Sequence, residues 1–193
     1  MFKSSPIVKK LFYINIAIFL ADFLLRINGY SLVGIFALFP PSSGHFSVYQ
    51  LLTHQFLHAG LFHLLFNMLA LVSIAPYVEE DLGSKKFLPF YLISGLGSAL
   101  LHLSLINSNI PMVGASGAIY GVLMYFSLSN PNEKLYLFLI PLGIKAKYLI
   151  PGVLLIEILL AINSVSDGIG HWAHIGGAIT GLVLYLLNKV SNK

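Results

Sequence analysis

The stretch Val113-Gly114-Ala115-Ser116-Gly117-Ala118-Ile119-Tyr120-Gly121 places a single serine among small residues at the start of an apolar segment. In a water-soluble protein, this run would predict a loop or a weak helix, because glycine is a poor helix former. The segment that it opens is instead apolar enough to indicate a membrane span. The rest of the chain predicts three features around this serine: a base, hydrogen-bond donors and a dry enclosure.

Composition places the chain among integral membrane proteins. Of its 193 residues, 57% are hydrophobic and 9% are charged, and the mean hydropathy is +0.85. A soluble domain has about 25% charged residues, so this chain lacks the polar surface that water requires. It has no cysteine, which excludes disulfides, thiol catalysis and thiolate metal sites. The net charge of +4 comes from lysines scattered at segment ends, so we expect no nucleic-acid partner.

The apolar runs predict an all-α, polytopic membrane protein with six spans in a single domain of residues 1–193. Six spans of ~20 residues need about 120 residues, and two regions broken by proline and glycine account for most of the rest. The first broken region, residues 28–59, predicts a large, partly helical first external loop at the membrane interface. We expect the first apolar run to be a retained span rather than a cleaved leader. The predicted spans are residues 11–27, 61–79, 87–106, 112–129, 148–163 and 168–188.

Basic residues indicate the orientation of these spans. With six spans both termini lie on one side, and that side holds every lysine, whereas the other side holds only Arg26. Because the side rich in lysine and arginine is usually cytoplasmic, we expect both termini inside the cell. Spans two, four and six then run inward from the external face.

This topology brings several polar side chains to one depth. Ser116 should lie roughly 6 Å below the outer end of span four, and His174 roughly 9 Å down span six. His58, His63 and Asn67 cluster around the outer half of span two. The sequence therefore predicts that these groups share the external leaflet, although topology alone does not put them in contact.

Small residues predict contact between spans four and six. Gly117 and Gly121 are four residues apart on span four, and Gly177 and Gly181 repeat that spacing on span six. In lipid, such spacing permits close approach of two helix backbones. Glycine pairs of this kind also occur as packing devices without chemistry, and a serine in a span commonly bonds to its own helix. If the two pairs meet, Ser116 faces the helix that carries the histidine.

Four motifs now give a family resemblance. Gly114-Ala115-Ser116-Gly117 resembles the nucleophile motif of rhomboid intramembrane serine proteases, and residues 173–181 resemble their base-bearing helix. Residues 54–67 match the family pattern H-x3-H-x4-H-x3-N, and residues 78–84 resemble the segment that ends the second span. The motifs stand in the family order. One departure is Tyr49-Gln50, where many members have Trp-Arg, so the bonding within this loop is expected to differ.

The resemblance implies a six-span rhomboid-like bundle, a role for each motif residue and a bacterial plasma membrane with the active site open to the external side. Ser116 would be the nucleophile and His174 the base, with no cofactor and no metal. By the same resemblance, the substrates are single-pass transmembrane proteins that enter sideways past span five, and residues 148–170 are a mobile gate. The remaining implied roles are oxyanion donors (His63, Asn67 and the Ser116 backbone N–H), a ring stacked on the histidine (Tyr120), loop-shaping histidines (His54, His58) and close backbone packing (Gly114, Gly117, Gly121, Gly177, Gly181).

The acidic residues predict a Ser-His dyad rather than a triad. Residues 79–81 are expected at the cytoplasmic end, Glu157 deep in span five, and Asp167 seven residues before His174. Asp22 and Glu157 are intramembrane carboxylates, which by default suggest function, and no basic partner for them is evident in the spans. We therefore expect Glu157 to be protonated or bonded between helices.

Alternatives stay open for several of these residues. We expect His45, His102 and His171 to be structural, although His171 could assist the site. The spacing of His54 and His58 suits a metal, but the glutamate of zinc-protease His-Glu-x-x-His is absent. The chain could instead be a non-catalytic rhomboid relative that binds and escorts membrane proteins, or a small transporter whose coupling site is Glu157. A transporter should show paired broken helices, which the sequence lacks; the oligomeric state stays open.

Overall fold

Helices dominate the computed structural model, which describes residues 5–106, 110–137, 140–163 and 168–191. A short antiparallel hairpin joins two of the long helices. Within the described residues, the helices and strands are α1 (Pro6–Ile27), α2 (Val33–Phe36), α3 (Gln50–Thr53), α4 (Leu61–Leu82), α5 (Ser84–Leu105), α6 (Ser116–Ser129), β1 (Lys134–Leu137), β2 (Ile140–Lys145), α7 (Ala146–Ile162) and α8 (His171–Ser191).

A long helix occupies each of the six predicted spans. Among the described residues, α4, α5 and α8 are long and apolar enough to cross a membrane by length and composition, and α6 is a shorter apolar helix. The predicted polytopic helical membrane bundle is therefore confirmed. The count of six crossings stays a prediction.

The start of α6 differs from the predicted span. Residues 112–115 precede the helix, and Met112 exchanges two backbone hydrogen bonds of 2.9 Å with Leu38 in the loop between α1 and α4. The helix begins at Ser116 and has 14 residues, so it is roughly 21 Å long. This is shorter than a hydrocarbon core of about 30 Å, and Ser116 stands at the N-terminal end of the helix.

Helices α6 and α8 pack through their glycines. A Cβ atom on Gly177 would overlap the carbonyl oxygen of Gly117, and a Cβ atom on Gly181 would overlap that of Gly121. At Gly177 and Gly181 only a hydrogen atom therefore fits against α6, whereas a Cβ atom on Gly117 or Gly121 would overlap Ser98 or Ser94 of α5. This packing fixes the two helices against each other one turn below the site.

The first external loop is tied together by Gln50, whose side chain is 1% exposed. Its amide nitrogen donates to the carbonyl oxygens of Ile35 and His45 at 3.1 and 3.0 Å, and its oxygen accepts from the N–H groups of Ser47 and Phe39 at 3.2 and 3.3 Å. One neutral side chain thus satisfies four backbone groups. The glutamine supplies the loop bonding that the departure from Trp-Arg placed in question.

Two buried acids anchor the ends of α1. At the outer end, the Asp22 carboxylate accepts from Arg26 at 2.7 Å and from the Leu32 N–H at 2.7 Å, so its partner comes from the same helix. At the other end, Glu79 on α4 accepts from the N–H groups of Ile7 and Val8 at 2.9 and 2.8 Å. These N–H groups lie in the first turn of α1, where a helix has no internal acceptors for them.

Candidate active site

Ser116 and His174 meet at the N-terminal ends of α6 and α8. The His174 Nε2 atom lies 2.9 Å from the Ser116 Oγ atom. Ser116 is the first residue of its helix and His174 is in the first turn of α8, so both side chains sit where their helices begin. The N–H groups of a first helical turn have no intrahelical acceptor, which leaves donors at the same place as the hydroxyl group.

Tyr120 packs against the imidazole of His174. Its ring stacks on the His174 ring with a centroid distance of 4.3 Å and an interplanar angle of 11°. It comes one turn after Ser116 on α6, so the same helix supplies the hydroxyl group and the flat surface that fixes the imidazole plane. The phenol O–H donates to a carboxylate oxygen of Glu157.

Glu157 lies at a different depth from the one that the sequence predicted, and the expectation that no carboxylate reaches the histidine is wrong. Its Oε1 atom is 3.0 Å from His174 Nδ1, and its Oε2 atom is 2.6 Å from His171 Nδ1. The reason is the direction of α7. Glu157 is five residues before the outer end of the helix at Ile162, roughly 7.5 Å down, and therefore level with the first turn of α8.

His63 and Asn67, the side chains implied as oxyanion donors, lie one helical turn apart on α4. The His63 ring sits over Gly114, where a Cβ atom would be 2.8 Å from His63 Nε2 and 3.7 Å from Ser116 Oγ. Gly114 has φ +132°, which also disfavours any side chain there. The Asn67 amide donates to the His63 carbonyl oxygen at 2.9 Å, so one of its two N–H groups is used within its own helix.

His54 supports the loop that enters the site. Its Nδ1 atom is 2.8 Å from the Gln50 carbonyl oxygen, and its own carbonyl oxygen accepts from the Gly114 N–H at 3.0 Å. Burial lowers the pKa of His54 from 6.5 to about 4. The ring is therefore neutral at pH 7 and acts as a backbone anchor.

His58 is also buried and packs edge to face on His63, with ring centroids 5.1 Å apart. Burial, and next the neighbouring His63, lower the pKa of His58 to about 3. Within the described ranges, neither ring nitrogen of His58 has a hydrogen-bond partner. The ring shapes the wall of the site without bonding the loop.

The burial of His54 predicts acid sensitivity of the fold. Because its folded pKa of about 4 is below the unfolded value of 6.5, the unfolded chain binds the proton first. Stability is therefore full above pH 6.5 and falls as the pH drops from 6.5 towards 4, by about 3 kcal/mol for this group. Thermal unfolding in detergent at pH 7.5, 5.5 and 4.5 should show a smaller loss for His54→Gln than for the wild type. Equal pH dependence of the two proteins would contradict the assignment.

A cavity of about 410 Å³ opens beside the paired side chains. Its wall includes His63 from α4, Met112 and Val113 from the stretch before α6, and His171 and Trp172 from α8. Ser116 and His174 do not line the cavity, which borders the site through His63 and His171. It offers room for water next to these two side chains.

Glu157, His171 and His174 also form a group of possible metal ligands, with one atom of each within 4.8 Å of the others. Ligand atoms around a tetrahedral zinc ion, at 2.0 to 2.1 Å from the metal, are about 3.3 Å apart. The two carboxylate–imidazole separations of 2.6 and 3.0 Å are both shorter than this spacing, and the 2.6 Å separation is a hydrogen bond between His171 and Glu157. The spacing of the three side chains therefore fits groups that share protons better than ligands of a metal ion.

Comparison with known proteins agrees with the motifs and the fold. Residues 45–189 match the family model of the rhomboid domain. The chain belongs to the rhomboid family. Helices α4 to α7, all but the last two residues of α8 and the site fall inside the matched residues, so the rhomboid domain contains every side chain of the arrangement around Ser116.

Several curated rhomboid proteins are similar to the chain. It is 38% identical over 136 residues to Rhomboid protease GluP of Bacillus subtilis (strain 168), covering 69% of this chain and 24% of that protein. It is 32% identical over 149 residues to Rhomboid protease AarA of Providencia stuartii, covering 66% and 51%. It is 30% identical over 190 residues to Rhomboid-like protein 11, chloroplastic, of Arabidopsis thaliana, covering 91% and 63%. The chain thus spans less than two thirds of the length of each.

Two residues of this rhomboid site were not assigned to it from the sequence. Glu157 was placed too deep, and His171, expected to be structural, bonds to it. Successive helices alternate in direction, so the C-terminal end of α7 lies beside the N-terminal end of α8. Counting Glu157 back from that end of α7 predicts the same depth as the histidines. Asp167 lies outside the described residues, and so does part of the proposed gate, residues 164–167.

Proposed function

We propose that the protein is an intramembrane serine endopeptidase in which Ser116 is the nucleophile and His174 the general base. The observation that carries the proposal is the 2.9 Å contact between His174 Nε2 and Ser116 Oγ. A serine hydroxyl group is a poor nucleophile unless a base takes its proton. Membership of the rhomboid family, with relatives named as rhomboid proteases, supports the same reaction class.

In the proposed reaction, Ser116 Oγ attacks the carbonyl carbon of the scissile peptide bond while its proton passes to His174 Nε2. The carbonyl oxygen becomes an oxyanion. Collapse of this intermediate breaks the C–N bond, and His174 gives the proton to the leaving amine. Water then repeats the sequence on the acyl ester, releases the carboxylic acid and restores the Ser116 hydroxyl group.

Three donors are proposed for the oxyanion: the Ser116 backbone N–H, the His63 ring and the Asn67 amide. The His63 ring and the Ser116 hydroxyl group both lie within 4 Å of the point where a Cβ atom on Gly114 would be, so an oxygen at that point would be near both. Asn67 has a second N–H beyond the one that bonds to its own helix. In a site without bulk water, loss of one such donor reduces kcat by about 10²- to 10³-fold.

The proposed substrates are single-pass transmembrane proteins. Peptide carbonyls inside a membrane helix are hydrogen-bonded, so the substrate must unwind, which favours glycine or proline near the outer end of its span. The outer cavity supplies the water for hydrolysis. We also propose lateral entry past α7, a bacterial plasma membrane, cytoplasmic termini and a site open to the external side.

The test is cleavage of a transmembrane substrate reconstituted with the protein in lipid vesicles. Wild type should cut, whereas Ser116→Ala and His174→Ala should not, with folding of each checked by circular dichroism. Cleavage by Ser116→Ala at the wild-type rate would contradict the proposal. No cleavage by the folded wild type would also contradict it and would leave the escort function as the better explanation.

A further inference from the structure

We propose that Glu157 is a positioning residue for His174, so that Ser116, His174 and Glu157 act as a Ser-His-Glu relay. This inference rests on the proposed function and extends the dyad that the sequence predicted. The three side chains come from α6, α8 and α7. The contacts are successive: the Ser116 hydroxyl group is 2.9 Å from His174 Nε2, and His174 Nδ1 is 3.0 Å from Glu157 Oε1.

The first step concerns the tautomer of His174. Its Nε2 atom can accept the Ser116 proton only when the ring carries its hydrogen on Nδ1. A carboxylate oxygen 3.0 Å from Nδ1 stabilises that tautomer, because it accepts from an N–H and repels a bare nitrogen lone pair. The approach is not aligned as a hydrogen bond in the free protein; catalytic hydrogen bonds often align only when substrate is bound.

The second step concerns what holds the carboxylate. Glu157 is 8% exposed, and a buried carboxylate needs hydrogen-bond donors. His171 contacts one oxygen at 2.6 Å, and the Tyr120 O–H donates to the other. Tyr120 also stacks on the His174 ring. The same set of contacts therefore fixes the plane of the imidazole and the position of the oxygen that faces it.

The third step concerns charge during the reaction. When Ser116 bonds to the substrate carbon, its proton moves to His174 and the ring becomes a cation. The Glu157 carboxylate then faces that cation across a short, largely water-free gap, where attraction between opposite charges is stronger than in water. No proton needs to reach Glu157. The proton on Nε2 goes to the leaving amine, and Glu157 keeps the same charge throughout.

A purely mechanical role makes a different prediction. If Glu157 only ties α7 to α8 through His171, its loss should lower thermal stability and leave the kcat of the folded protein unchanged. If it positions His174, its loss should lower kcat with little change in KM. The two roles are separated by measuring both quantities on the same samples.

The experiment uses the full chain in lipid vesicles with a transmembrane substrate. Glu157→Gln should lower kcat by about 10²- to 10⁴-fold, because the glutamine can turn its N–H₂ towards Nδ1 and favour the wrong tautomer. KM should stay within about threefold. Glu157→Asp keeps the charge and should recover part of the loss. The matched control is Glu79→Gln, which makes the same change at a buried carboxylate at the far end of α4 and should keep kcat per folded molecule within about threefold.

A kcat for Glu157→Gln within threefold of wild type, with or without a lower unfolding temperature, would overturn the relay. If Glu157→Gln does not fold, the wild-type ring ¹⁵N spectrum decides, with His174 assigned by comparison with His174→Ala. A hydrogen on Nδ1 is the expected result, and a hydrogen on Nε2 alone would overturn the proposal. Failure of the proposed function looks different, because Ser116→Ala would then match wild type.

Discussion

Replacing Ser116 with alanine is expected to reduce kcat for a transmembrane substrate by about 10⁵- to 10⁶-fold. In the proposed reaction, the change removes the atom that forms the acyl ester, and His174 Nε2 loses the hydroxyl group that it contacts at 2.9 Å. Helix α6 should tolerate the substitution, because alanine is a good helix former. Initial rates in lipid vesicles at equal folded protein measure the effect.

Ser127→Ala is the matched control on the same helix. Ser127 is buried, and its hydroxyl group donates to the Ala146 carbonyl oxygen at 3.2 Å near the other end of α6. Its removal should leave kcat near the wild-type value and lower stability by about 1 kcal/mol. Equal losses of activity for the two alanine variants would show that the loss came from the fold and not from chemistry at Ser116.

The second large effect is expected for Gly177→Ala, through packing rather than chemistry. The added methyl group would overlap the Gly117 carbonyl oxygen, and backbone atoms cannot turn away as a side chain can. Helices α6 and α8 must separate, which should destabilise the protein by about 3 to 5 kcal/mol. Because Gly117 follows Ser116 directly, the hydroxyl group moves away from His174. A misplacement of about 1 Å can cost 10²-fold in kcat.

Gly152→Ala provides the comparison for this prediction. A Cβ atom at Gly152 on α7 would meet no atom within 4 Å, so the change should be neutral or stabilising by up to about 1 kcal/mol. Thermal unfolding and kcat of both variants are measured side by side. If Gly177→Ala is as stable and as active as Gly152→Ala, the close packing of α6 on α8 is wrong.

The sequence carries enough to predict the bundle and to bring Ser116 and His174 to one place. Long apolar runs predict helices, and the alternating directions of these helices predict which side chains share a leaflet. The paired glycines of α6 and α8 predict which helices touch. These are local signals, readable from spacing alone. The 2.9 Å contact between the two side chains cannot be predicted from spacing, because it depends on where each helix begins.

Three features depend on tertiary contacts that spacing does not encode. Glu157 reaches the histidines because α7 packs beside α8, and its depth is clear only when counted from the outer end. Gln50 bonds four backbone groups that lie 3 to 15 residues before it and meet only when the loop folds. The non-helical entry to α6 exists because Met112 pairs with Leu38, which shortens the helix and sets the position of Ser116.

The most direct test of the Ser116–His174 pair is the rate and site of covalent labelling by a fluorophosphonate in lipid vesicles, read by mass spectrometry. The adduct is predicted on Ser116 in the wild type, with labelling in His174→Ala slower by at least about 10²-fold because the base is absent. An adduct on another serine, or equal labelling of Ser116 in His174→Ala, would contradict the account.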